Sequence, residues 1–437
     1  MRRVLMIAFH FPPMKGSSGL QRTLGFAREL GRFGWQPRIL TAWRRAYPVV
    51  SDEQMGDIPA DVVVRRPPCL DVARHLAIRG SYPGILARPD RWSTWLPGLV
   101  ARGIAECASW KPDLVWSTFP IPTAVVGGRI ISRWTGIPGI LDLRDSMTED
   151  GYPPDPSLRR QLRAIESKAV RQARAVVFTS AGAASMYADR YPEVPADRWH
   201  LIPNGYDEGH FAQVDVAAAR RAPHPEGQVL LLHSGLLDPV DRDPTAFFRA
   251  LAQLRARREP GFERLCVRLR ACGHDRHYQG VARAFGVADI VQLAPALPYD
   301  EALREMIDAD GLLVFQGSNC NHQTPAKLYE YFRAGTPILG LTDPQGDTAT
   351  VMRAAGLPES AVIPMQDAAG IEQGLAKFVA DLHAGRAAGV PVDVARQWSR
   401  AHQARLLAGL MDRIAGEPRS EKPVSPGVPA RPGGTNV

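Results

Sequence analysis

Lys327 and Glu330 stand three residues apart in the segment TPAKLYEYFRAGTPIL, a spacing that puts an ammonium and a carboxylate on one face of a helix. Thr324 reads as its N-cap, Pro325 as its first position, and Gly335 with Pro337 as the stop before a strand, ILGL. Leu328, Tyr331 and Phe332 supply much of the apolar face. The helix follows on a strand-like run, GLLVFQG. In a doubly wound sheet that junction lies at the carboxyl edge of the strands, where free N–H groups and the helix dipole favour an anion, with phosphate the obvious candidate. Lys327 opposes that dipole at a small cost unless an anion sits there. The carboxylate one turn later could then accept both hydroxyls of a ribose. The same spacing equally suits a surface ion pair, and the residues alone leave both readings open.

Arg242 directly precedes Asp243-Pro244, a cap and a first-turn proline at the start of another helix. Asp241-Arg242-Asp243 is a D-x-D, but no further carboxylates cluster there and the arginine between the acids would repel a cation, so no metal site is predicted. Asp142, Arg144 and Asp145 in LDLRDSM end a predicted strand at a cleft edge, where they could touch an acceptor or form a structural Arg–Asp pair. The five cysteines are scattered without a C-x-x-C pair, which predicts a reduced, cytosolic setting.

Positioning these residues requires a framework, and its pattern is legible. From Arg3 to about Pro203 short β-branched runs (RVLMIAF, PRILTA, DLVWST, GILDLRD) alternate with helical patterns such as RTLGFARELGRFG. The alternation restarts with QVLLLHSG, TAFFRALAQLRARR and RLCVRLRACG. Strand and helix in alternation predict parallel, doubly wound sheets, hence two α/β domains, 1–205 and 228–391, joined by a linker at 206–227. A helix over 392–415 is placed to cross back to the first domain, and the Pro/Gly-rich end, 416–437, is predicted to be disordered.

The net charge of +8 is uneven, since residues 1–200 hold 28 Lys+Arg against 18 Asp+Glu. A basic first half suits an anionic partner. Arg65 to Arg102 holds seven arginines interleaved with Tyr82, Leu86, Trp92 and Trp95, a mixture suited to an anionic lipid surface. No apolar stretch approaches the roughly 18 residues of a membrane span, and MRRVLMIAFHFPP reads as a buried strand rather than a signal peptide. No recognised nucleic-acid-binding motif accompanies the basic residues, so no nucleic-acid partner is expected.

The Thr324–Leu339 segment resembles the signature of retaining glycosyltransferases of glycosyltransferase family 4, especially the bacterial polysaccharide-assembly branch, where P-x-K-x-x-E-Y is followed by G-x-P-I. FPPMKGSSGLQR, KPDLVWSTFPIPTA, GIPGILDLRDSM, HLIPNGYD and HSGLLDPVDRDP fit the same family in the expected order, over about residues 1–415. The resemblance implies a GT-B fold, two Rossmann-like domains facing a central cleft. It implies that Glu330 holds the donor ribose, that Lys327 and Arg242 grip the diphosphate, and that Gly235 lets backbone approach the phosphates. Gly16, Ser17, Ser18 and Gly19 would be the first domain's contribution at the cleft, with Asp142, Arg144 and Asp145 on the acceptor side. Where the family commonly has a glutamate against the donor sugar this chain has His322, and His322, Gln323, Thr324 and Pro325 remain candidates to face that sugar. Glu166 falls at a family position of structural character.

The activity so implied is transfer of a sugar from a nucleotide-diphosphate sugar to an acceptor hydroxyl with retention, in cell-surface polysaccharide, exopolysaccharide or O-antigen assembly. No cofactor and no essential metal are expected, and the leaving phosphate itself would deprotonate the acceptor. A lipid-linked oligosaccharide acceptor would place the protein in the cytoplasm, peripheral on the inner face of the plasma membrane. Two alternatives share the fold: a sugar-nucleotide epimerase and a non-catalytic nucleotide-sugar-binding protein.

Overall fold

The computed structural model describes residues 1–15, 18–214 and 227–416. Two parallel sheets organise the chain. The first runs β3 (Val63–Arg65), β2 (Trp35–Leu40), β1 (Arg2–Ile7), β4 (Leu114–Phe119), β5 (Gly139–Leu143), β6 (Ala175–Phe178), β7 (Trp199–Leu201). The second runs β10 (Val291–Ala294), β9 (Leu265–Arg270), β8 (Val229–Ser234), β11 (Gly311–Gln316), β12 (Ile338–Thr342), β13 (Val362–Ile363). Each sheet starts in its middle, winds outward, then reverses from its first strand (β1 to β4, β8 to β11). That reversal opens a crevice at the carboxyl ends of the strands, where α/β sheets bind ligands.

The central strands are largely apolar because helices cover both faces. Val4 to Ile7 are wholly buried, as are Leu231, Leu232 and Leu312 to Val314. Helix starts follow local chemistry: Asp155 caps Pro156–Gln172 through the Ser157 N–H, and Asp207 caps Glu208–Gln213 through the Gly209 N–H.

The chain passes between the domains twice, side by side. The Tyr206 N–H donates to the Trp398 carbonyl at 3.1 Å, and the Arg400 N–H donates to the Tyr206 carbonyl at 2.9 Å. Gly205 lets the strands touch, since a Cβ there would lie 2.1 Å from the Trp398 oxygen. Trp398 and Ala395 are buried in the second domain's core. From Arg400 the final helix, Arg400–Gly416, returns Leu407, Met411 and Ile414 to the first domain's core beside Val4, Leu24 and Trp35.

One predicted boundary moves. The helix expected to open at Thr324 spans Lys327–Ala334, with Ala326 at the cap and no side-chain cap bond. Thr324 is buried and its hydroxyl bonds nothing. The Leu328 and Tyr329 N–H groups reach back three residues, to the Pro325 and Ala326 carbonyls, so a tight turn replaces the threonine cap. Lys327 thereby becomes the first helical residue.

Candidate functional site

Between the two carboxyl edges lies a cleft of about 900 Å³. Ser234, Gly235, Arg242, Tyr299, Lys327 and Glu330 line its wall on the second domain. Met14, Lys15, Leu20 and Gln21 face them from the first, while Gly205 and Arg400 close the end where the chain crosses. The volume falls in the range of sites that enclose a small organic ligand.

Lys327 and Glu330 share a helix face but do not pair with each other. The Lys327 ammonium donates to His233 Nε2 at 2.9 Å. His233 is wholly buried on β8, its ring edge-on to Phe315, and Nδ1 lies 2.8 Å from the Leu313 carbonyl. A carbonyl can only accept, so Nδ1 carries the proton and Nε2 offers a lone pair. Burial, with Lys327 beside it, holds the His233 pKa well below its usual value and keeps the ring neutral. Burial and the nearby Arg242 bring Lys327 itself down to about 7, against a smaller upward pull from Glu330. Gly235 makes the arrangement possible: its φ of +109° suits glycine, and a Cβ there would lie 2.9 Å from Lys327 Nζ.

Glu330 accepts a hydrogen bond from the Tyr299 hydroxyl at 2.7 Å. Burial raises the carboxyl's pKa, and Tyr299, Arg400 and Lys327 pull it back. Arg242 donates through Nε to Gln316 Oε1 at 3.0 Å, so a neutral amide orients it at the cleft wall.

Of the other donor-side candidates, Pro325 lines the cleft; His322, Gln323 and Thr324 do not. The His322 carbonyl accepts from the Ser180 hydroxyl and its ring lies against Gly182, both in the first domain. The Gln323 carbonyl accepts from Thr348 at 3.2 Å. His322 thus belongs to a contact between the domains, which the Gly182 N–H extends by donating to Asp347 at 2.8 Å. In the D-x-D, Asp241 accepts from Asn319 at 2.7 Å and Asp243 from the Thr245 hydroxyl at 2.6 Å. Among the described residues no three metal-ligating side chains converge.

In the first domain, Gly16, Ser17 and the Ser18 side chain lie outside the described residues. Gly19 meets the Arg144 guanidinium, which lies 1.9 Å from where a Cβ would stand. Arg144 donates to the Phe119 carbonyl at 3.2 Å and to His10 Nδ1 at 3.1 Å. Burial and Arg144 push His10 down to about 3, leaving a neutral ring. Asp145 is half exposed, 3.7 Å from Arg144. Asp142 corrects the acceptor-side expectation: it is fully enclosed and bonded to Arg22 at 2.6 Å and Thr118 at 2.9 Å, so it reaches no ligand. A structural Arg–Asp pair is formed, with Arg22 as the arginine. Glu166 likewise is buried, accepting from Thr148, Tyr187, Tyr191 and Arg190.

The Arg65–Arg102 stretch also departs from expectation. Arg65 and Arg102 are bonded to Glu106, Arg88 to Asp155 and Arg91 to Asp71, while Arg66 and Arg74 bind backbone carbonyls. Trp95 is wholly buried. What protrudes instead is apolar: Ile78 and Ile85 are 79% and 80% exposed, near the exposed Tyr82 and Leu86. No helix among the described residues is long and apolar enough to cross a membrane.

His233, Tyr299, Gln316 and Arg400 escaped the sequence reading. A single histidine in an apolar strand reads as a satisfied core residue, although its place two residues before Gly235 in HSG was a usable signal. The other three carry none.

No curated protein matches the chain. Among solved structures, a sucrose-phosphate synthase from Thermosynechococcus elongatus superposes with a TM-score of 0.63 at 16% identity, covering 95% of this chain and 96% of that one. Anabaena HepE in complex with UDP and glucose gives 0.62 at 14% identity, covering 94% and 100%. A UDP-N-acetylglucosamine 2-epimerase gives 0.57 at 14% identity, covering 98% and 99%. At such identities the likeness speaks for the fold. Residues 19–205 are similar to the glycosyl transferase 4-like domain family, a match over less than half of the chain, and the chain as a whole has the GT-B fold.

Proposed function

We propose that this protein transfers a sugar from a nucleotide-diphosphate sugar to an acceptor hydroxyl, with retention at the anomeric carbon. One observation carries the reading. Gly235 and Arg242 from one segment, and Lys327 and Glu330 from another distant from it in sequence, meet on one wall of an interdomain cleft of about 900 Å³. Lys327 and Arg242 would hold the diphosphate where the Lys327–Ala334 helix begins, and Glu330 would take the ribose hydroxyls. As the glycosidic bond breaks, charge gathers on the departing diphosphate. Two charge-assisted hydrogen bonds at about 1.5 to 3 kcal/mol each, with a helix N-terminus worth up to about 2, then supply several powers of ten in rate. The departing phosphate takes the acceptor proton, and no divalent metal is required.

The acceptor reading is a lipid-linked oligosaccharide in polysaccharide assembly, and its support is local. β3 is the edge strand of the first sheet and ends at Arg65 on the cleft side; Ile78, Tyr82, Ile85 and Leu86 protrude from the connection that follows, with Arg79 exposed among them. Such a tip can enter a membrane interface and leave the cleft mouth near the headgroups. Salt-insensitive failure to float with anionic liposomes would remove this part.

The test of the main reading is a calorimetric screen of UDP, GDP, ADP and dTDP sugars, followed by nucleotide release from the binder with and without acceptor. Release that depends on acceptor supports transfer. Conversion of the nucleotide sugar without acceptor would make the protein an epimerase, whose fold it shares at 98% coverage. Binding without turnover of any donor would make it a non-catalytic nucleotide-sugar-binding protein, and no binding at all would end the reading.

A further inference from the structure

We propose that His233 is a positioning residue for the diphosphate site: its Nε2 lone pair aims the Lys327 ammonium into the cleft while leaving the lysine's charge unneutralised for the ligand. This rests on the diphosphate reading above and adds to it a residue with no place in that reading.

The geometry determines the direction of each bond. The Leu313 carbonyl holds the proton on Nδ1, so Nε2 can only accept, and the charged Lys327 ammonium can only donate. A carboxylate in the same place would also orient the lysine, but would cancel its charge. The titratable and charged groups facing Lys327 are His233 from β8, Arg242 from the following loop, and Glu330 from its own helix. Glu330 is turned to Tyr299, and Arg242, itself a cation, is held by the amide of Gln316, so no carboxylate is bonded to the lysine. Lys327 is thus a directed cation with a neutral partner, half-buried beside a second cation.

Such a cation is costly to charge until an anion arrives, which couples binding to proton uptake. With Lys327 brought down to about 7, the empty site holds about half a proton there at pH 7, and a bound diphosphate fills it. Removing the lone pair removes a hydrogen bond to the charged form, which lowers the lysine's pKa further.

The test is calorimetric titration of the full chain with UDP, and separately with inorganic pyrophosphate, in buffers of different ionisation enthalpy. Uptake seen in Lys327→Met is subtracted as the ligand's own. At pH 7 the wild type should take up about half a proton, His233→Leu close to one, and His233→Gln, whose amide oxygen can replace Nε2, about half again. At pH 8 UDP should bind His233→Leu about tenfold more weakly than wild type, and His233→Gln within about threefold. A packing role alone would lower melting temperature in both variants without moving the proton count. A folded His233→Leu with the wild-type proton count and affinity overturns the proposal. Should that variant not fold, ¹⁵N-histidine spectra of the wild type, assigned with His233→Gln, decide: a bare Nε2 and protonated Nδ1 from pH 6 to 8 support it, and a protonated Nε2 overturns it. Binding of pyrophosphate without any nucleotide sugar would sink the proposed function while sparing this inference. Binding of neither would sink both.

Discussion

Two basic residues on either side of the cleft are held in opposite ways. Arg22, in the first domain, is buried against the carboxylate of Asp142 with side-chain exposures of 2% and 0%. Lys327, in the second, is held by a neutral imidazole. The first arrangement cancels charge and ties Ser18–Glu29, the helix carrying Arg22, to β5; the second leaves charge directed at a cavity. The contrast extends outward: Arg91 and Arg102 meet Asp71 and Glu106, whereas Arg242 meets the amide of Gln316. In the proposed function, the carboxylate-bound Arg22, Arg91 and Arg102 serve the fold, while Lys327 and Arg242, bonded to neutral groups on the cleft wall, would keep their charge for a ligand.

Substitution on each side should therefore separate stability from function. The largest effect is expected at Arg22→Met, which strands the buried Asp142 carboxylate and should cost about 3 to 5 kcal/mol of folding stability, seen in denaturant unfolding. Recovery of most of that loss in the Arg22→Met, Asp142→Leu double variant would sharpen the contrast, because a matched apolar pair needs no charge compensation.

Lys327→Met should do the reverse. Turnover at saturating donor should fall on the order of 10²- to 10³-fold, over and above the weakening of nucleotide binding, while unfolding stability at pH 7 stays level or rises. Its sign with pH is defined: since the folded-state pKa of Lys327 is brought down to about 7, the unfolded chain binds more protons above that value. The lysine's destabilising contribution is therefore full below about pH 7 and fades as pH rises toward the unfolded value. Melting curves of wild type and Lys327→Met should converge over that window, and a stability loss in the variant comparable with Arg22→Met would break the comparison.

The smallest effect is expected at Glu330→Gln, which keeps the Tyr299 hydrogen bond but removes charge from the ribose subsite. Donor KM should rise about tenfold with kcat nearly unchanged, the signature of binding shared by ground and transition states. A fall in kcat of the same size would place Glu330 nearer the reacting bond than the ribose.

Much of the framework was legible because it is written in periodicity. Runs such as RVLMIAF and QVLLLHSG, separated by amphipathic helices, predict strands covered on both faces, and both sheets have that form. The candidate site was legible in part. Lys327 and Glu330 announce themselves by local spacing, and Arg242 and Gly235 by their places beside a helix start and a strand end. The helix start was misplaced because Thr324 satisfies every local rule for a cap, yet its hydroxyl is buried beneath the turn that follows. Asp142 was ambiguous because a strand-end carboxylate reads alike whether it faces a ligand or an arginine from another helix. The arginine-rich stretch misled for the same reason, since composition counts charges without showing which are already spent.

The sequence by itself determined the two doubly wound domains and the types of residue at the carboxyl edges, since burial of a helix stripe or a strand face is set by neighbours a few residues away. Only the tertiary structure decided the partners. Lys327 meets His233 across 94 positions, Arg242 meets Gln316 across 74, and Arg22 meets Asp142 across 120. Strand order and the return of the last helix bring those groups together, and whether a cation finds a carboxylate or a lone pair at the end of that path is not encoded in any local pattern.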